Sequence, residues 1–148
     1  MNFAARLFIF FGLLATCLTF AAEGTLQADD LWIREAPPAA RVLAGYGRFR
    51  NPSPSACVLT GASSDTFERV EVHRTIIEDN VARMVRQSNI SIASGESFVL
   101  EPNGYHLMLI GPKNPLRSGD MVKLRLHFDS GVTQEFLLEV RSTVEHSN

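Results

Sequence analysis

Turn residues recur roughly every eight to twelve positions along this chain, and the stretches between them are short and rich in branched and aromatic side chains. Nine such runs are read, at 26–33, 42–49, 56–59, 67–76, 82–86, 97–100, 105–110, 121–128 and 132–140, with breaks such as Pro37-Pro38, Asn51-Pro52-Ser53-Pro54 and Gly61-Ala62-Ser63-Ser64. No stretch carries apolar residues at helical spacing. The pattern predicts an all-β sandwich or barrel of about nine strands. At 148 residues and 45% hydrophobic content the chain suits one domain with one core.

The first residues read differently. Arg6 is the sole charge before Glu23, Leu7 to Phe20 form a nearly unbroken apolar run, and Thr19-Phe20-Ala21 supplies the small residues that a signal peptidase reads. Residues 1–21 are therefore expected to be a cleaved signal peptide, cut after Ala21 or Ala22. Leu14-Ala15-Thr16-Cys17 faintly resembles a lipoprotein cleavage box, but Thr before the cysteine is unusual and the apolar run continues past it. The expected domain spans 22–141 and a short polar tail 142–148. Removing the leader takes Arg6 and Cys17 and leaves thirteen basic against sixteen acidic side chains, with no block of like charge. That balance offers no footprint for a nucleic acid, and the mature domain is expected to be an uninserted monomer. Cys57 then has no partner for a disulfide. Its place in the apolar run Ala56-Cys57-Val58-Leu59 marks it as a small packed strand residue.

Alternation fixes which side chains share a face. In Val122-Lys123-Leu124-Arg125-Leu126-His127-Phe128 the apolar set faces inward and His127 outward, as a solvated residue. In Tyr105-His106-Leu107-Met108-Leu109 the same rule puts His106 and Met108 side by side on the face away from Leu107 and Leu109. His73 and Met84 belong to the segments on either side of a turn at Glu78-Asp79-Asn80. A two-residue loop at Glu78-Asp79 would set them directly opposite each other, and a three-residue loop would shift the register by one.

Two imidazoles and two thioethers thus fall within 36 residues, with ten residues between His73 and Met84, twenty-one between Met84 and His106, and one between His106 and Met108. Taken singly, a strand histidine is ordinarily a surface residue and a methionine is core filler. Together they make a neutral, soft ligand set. Zinc favours Cys, His and carboxylate, calcium and magnesium favour oxygen, and thioether sulfur selects Cu(I). Met121 reads as core or edge packing, and His146 lies in the tail. A blue-copper site would need a thiolate with two histidines, and Cys57 has none near it in sequence. No nucleophile elbow, paired carboxylates or His-Glu-x-x-His helix points to an enzyme.

The intervals His73, Met84, His106 and Met108 match, without a gap, the signature of the periplasmic copper chaperones of the PCuAC type, and the chain resembles that family. Ala44-Gly45-Tyr46, Glu68-Arg69-Val70-Glu71-Val72-His73 and Pro102-Asn103-Gly104-Tyr105-His106-Leu107-Met108-Leu109 also look like the family's text. The resemblance runs from about Leu31 to Val140. It implies a cupredoxin-like Greek-key β-sandwich that holds one Cu(I) at an exposed site. It also implies a periplasmic protein that delivers copper toward the binuclear copper site of cytochrome c oxidase, directly on the oxidase copper subunit or alongside a Sco-type protein. Some relatives carry a His- and Met-rich extension, whereas this chain offers only His146. The other readings are a copper buffer or tolerance protein without a dedicated acceptor, and a structural β-sandwich that binds no metal.

Overall fold

The computed structural model describes residues 26–142, so the leader, Cys17 and His146 lie outside the described residues. Within them the chain forms ten strands: β1 (Gln27–Arg34), β2 (Val42–Arg50), β3 (Cys57–Ser63), β4 (Phe67–Glu78), β5 (Val81–Gln87), β6 (Ile90–Ile92), β7 (Ser97–Leu100), β8 (Tyr105–Pro112), β9 (Met121–Phe128) and β10 (Thr133–Arg141). The nine expected runs are all present. The addition is β6, whose three residues are too few to show a period against their polar neighbours.

The strands follow the order β5-β4-β8-β2-β1-β10-β9-β3-β6, with β7 beside β2. A bridge between Ala62 of β3 and Val70 of β4 brings the path back on itself. The strands from β4 round to β3 therefore enclose the core, while β5 and β6 flank the path. β1 and β10 run parallel, and the remaining pairs are antiparallel. The fold is a cupredoxin-like Greek-key sandwich.

Alternation explains the core. Val122, Leu124 and Leu126 of β9 are buried, as are Leu138 and Val140 of β10 and Leu107 and Leu109 of β8. Each fully buried leucine or valine contributes about 1.5–3 kcal/mol relative to exposure. The break expected at 61–64 is instead mostly strand. β3 runs through Gly61, Ala62 and Ser63 with an irregularity between Leu59 and Gly61 that lets it follow β9. β1 carries a second bulge between Asp29 and Trp32, where Asp30 has a φ of 50°. Gly47 sits against it at a φ of +132°, and a Cβ there would lie 2.6 Å from the Asp30 carbonyl oxygen.

Two residues outside the soft-ligand set differ from expectation. His127 is half-buried rather than simply solvated, because Ser63 Oγ lies 2.8 Å from Nε2 and Thr133 Oγ1 lies 3.2 Å from Nδ1 across the neighbouring strands. Met121 opens β9 and is 57% exposed, so it packs into neither core nor edge. Cys57, by contrast, is the packed strand residue expected: it is half-buried against the core, and desolvation, the largest cause, pushes its thiol up.

Candidate metal centre

The outward faces of β4, β8 and β5 bring the soft side chains together. His73 pairs directly with His106 across β4 and β8, and one step along the same face Glu71 pairs with Met108. The two imidazole centroids are 6.1 Å apart with planes tilted by 44°. Met84 does not stand opposite His73. The β4–β5 turn is Asp79-Asn80, with Glu78 paired to Val81, so Arg86 faces His73 and Thr75 faces Met84. Asp79 and Asn80 have φ of 51° and 61°, the left-handed pair that closes a tight hairpin and that these two residue types tolerate. Moving the turn by one residue shifts each partner by two positions. The parity of the strand survives, and Met84 stays on the histidine face as a diagonal neighbour of His73.

The site is a groove floored by imidazole and flanked by sulfur. Met84, His106 and Met108 line one concavity together with Ala44, Tyr46 and Thr75. His106 is buried and His73 half-buried, whereas Met84 is 61% exposed. The centre is thus less open than expected from strand faces alone, with one thioether at the rim.

Hydrogen bonding distinguishes the two nitrogens of each ring. His73 Nε2 lies 2.8 Å from Glu71 Oε2, and His106 Nδ1 lies 3.3 Å from the Gly104 carbonyl oxygen. Both acceptors leave the proton on the ring nitrogen they face. Among the described residues, the buried side-chain nitrogen or oxygen atoms without a hydrogen-bond partner are two, His73 Nδ1 and His106 Nε2. Buried polar atoms rarely go unpaired. In a neutral ring each orphan is the lone-pair nitrogen, the type of atom that can ligate a metal. The thioethers of Met84 and Met108 share this face with the two imidazoles and are soft donors beside them.

Glu71 is nearly enclosed, with its side chain 10% exposed. Its Oε1 receives Arg69 Nε at 2.8 Å and lies 3.7 Å from an Arg86 nitrogen. The hydrogen bond from His73, followed by the two guanidiniums, holds its carboxyl below the usual range despite desolvation, so it is ionised at neutral pH. Sequence reading did not single out Glu71 as a partner of the site. The signal was its place two residues before His73 on the same strand face.

Fold and side chains together define a cupredoxin-like domain with two histidines and two methionines gathered on one outer face. The chain belongs to the LpqE-like family, described as putative lipoprotein LpqE-like, which matches residues 26–140. It is 27% identical over 121 residues to the putative lipoprotein Lxx21020 of Leifsonia xyli subsp. xyli, covering 81% of this chain and 71% of that one. It is 35% identical over 85 residues to the uncharacterized protein RP573 of Rickettsia prowazekii, covering 57% of this chain and 47% of that protein. Among solved structures it resembles the copper-bound PCuAC domain from PmoF2, with a TM-score of 0.66 and 18% identity over 80% of this chain and 94% of that domain. It also resembles the solution structure of CuI-DR1885 from Deinococcus radiodurans, with a TM-score of 0.62 and 25% identity over 83% of each chain. The domain shares the fold of the copper-bound PCuAC domain from PmoF2.

Proposed function

We propose that this domain is an exported copper chaperone that holds one Cu(I) between His73 and His106, with Met84 and Met108 as thioether ligands. One observation carries the reading: the two orphaned buried nitrogens belong to the two histidines that face each other across β4 and β8. The copper named in the PmoF2 and DR1885 structures supports the same ion here. A neutral set of two imidazoles and two thioethers suits a soft monovalent ion. Thioethers also supply sulfur in an oxidising compartment without being lost to disulfides, although sulfoxide formation remains a hazard there. In bacteria that compartment would be the periplasm.

Transfer needs no catalytic residue. An acceptor thiolate or imidazole would displace the exposed Met84 first, share the ion with the remaining ligands, and take it as the two less exposed histidines let go. The acceptor we assign is the binuclear copper site of cytochrome c oxidase, reached on the oxidase subunit or with a Sco-type protein, from the family likeness. Anaerobic titration of the mature protein with Cu(I) should saturate at one equivalent, and the loaded protein should pass copper to the isolated oxidase copper domain. Unchanged binding after His106→Ala combined with Met108→Ala would contradict the ligand assignment. Tight binding without transfer would favour a copper buffer.

A further inference from the structure

We infer that Glu71 is a positioning residue that selects Nδ1 of His73 as its copper-binding atom and ties that choice to the strand carrying Met84. The inference rests on the Cu(I) reading above and deepens it.

The two histidines are set up in opposite senses. His106 gives its Nδ1 proton to a backbone carbonyl two residues away and keeps Nε2 bare. His73 turns Nε2 to the carboxylate of Glu71, 2.8 Å away, and keeps Nδ1 bare. A carboxylate can only accept, so Nε2 must carry the proton while Glu71 is ionised, and a neutral ring then has its lone pair on Nδ1. Hydrogen bonding of the distal ring nitrogen is the usual means by which a protein fixes a ligating histidine. Free imidazole side chains have no such restriction, so the choice at His73 belongs to Glu71.

Glu71 is itself held. Oε2 serves His73, while Oε1 serves Arg69 on the same face of β4 and Arg86 on β5. Arg86 is the register partner of His73 and stands two residues from Met84. One carboxylate therefore links an imidazole ligand on β4 with the strand that presents the exposed thioether, and Met108 of β8 is its own partner across the sheet. The geometry makes Glu71 the point at which β4 and β5 are tied together beside the site.

Long-range nitrogen–proton NMR on the histidine-labelled protein tests this without copper and with it. The apo protein should show His73 protonated at Nε2 and bare at Nδ1. One equivalent of Cu(I) should move the Nδ1 resonance and leave Nε2 protonated. Glu71→Ala should mix the two tautomers and lower Cu(I) affinity by roughly ten- to a hundredfold, the usual effect of removing a partner behind a metal ligand. Glu71→Gln, whose single acceptor oxygen must choose between Arg69 Nε and His73 Nε2, should hold the tautomer only in part and give an affinity between those of the wild type and Glu71→Ala. A proton on Nδ1 in the apo wild type, or an unchanged tautomer and affinity in Glu71→Ala, would overturn the inference. If Glu71→Ala fails to fold, the wild-type tautomer and the Gln variant decide the matter. Failure of the wild type to bind Cu(I) would overturn the copper reading itself, and the metal-free tautomer keeps the two failures apart.

Discussion

At the scale of single residues, the four soft side chains differ in what holds them. His106 is buried and hydrogen-bonded through one nitrogen, whereas Met84 stands at the rim. Their losses should therefore be unequal. His106→Ala should lower Cu(I) affinity by more than about a hundredfold, the upper end for removing an outer partner alone, and Met84→Leu should cost clearly less while speeding transfer to an acceptor, because the ligand displaced first is already gone. Competition against a Cu(I) chelator measures both, and equal losses would refute this division of labour. The residue types and intervals of the set were visible in sequence because strand alternation is a strict two-residue period. The partner Glu71 was visible only as a charge on a strand, since nothing in the sequence states that two arginines and a histidine converge on it.

At the scale of elements, the β4–β5 hairpin decides where Met84 stands. Sequence identified the turn at 78–80 and offered a two-residue loop at Glu78-Asp79 or a three-residue loop, whereas the structure closes it on Asp79-Asn80, one position further along. The left-handed φ of 51° and 61° at Asp79 and Asn80 settles the register. Asn80→Val should cost about 1–2 kcal/mol locally through the left-handed conformation, and Asn80→Gly should be tolerated. Hydrogen exchange of the β5 amides measures the difference.

β9 offers a second case. Arg125 binds Asp65 through two hydrogen bonds of 2.9 and 2.6 Å and Glu135 of β10 through another of 2.9 Å. The bonds from Arg125 are the first cause that holds both carboxyls below their ordinary values. A depressed carboxyl binds protons more readily when unfolded, so its contribution is full above the unfolded range near about 4 and is lost as pH falls through the folded value. The thermal midpoint should decline on acidification below about pH 4, and Arg125→Met should flatten that decline. An acid profile indistinguishable between the two proteins would show that these pairs contribute nothing.

For the whole molecule, the fold was readable because each strand states its own buried face. Leu124 and Leu126 are fully buried as alternation required. Leu124→Ala should destabilise the domain by about 2–5 kcal/mol in denaturant unfolding, with the copper-binding face intact in what remains folded. The order of strands was not readable from alternation, since it depends on long-range pairings such as Trp32 with Glu139 of β10. β6 and the continuation of β3 past Gly61 escaped for a related reason: their register is set by β3 and β9 rather than by their own sequence. The leader makes a separate claim. Mass spectrometry of the exported protein should find an unmodified N-terminus beginning at Ala22 or Glu23, and a lipid-bearing terminus at Cys17 would show membrane anchoring instead.

The central claim is that one Cu(I) sits among His73, Met84, His106 and Met108, and X-ray absorption at the copper edge of the anaerobically loaded protein tests it most directly. The account predicts monovalent copper with two imidazole nitrogens and two thioether sulfurs, and loss of one sulfur neighbour in Met108→Ala. A first shell without sulfur, or one that Met108→Ala leaves unchanged, would contradict it.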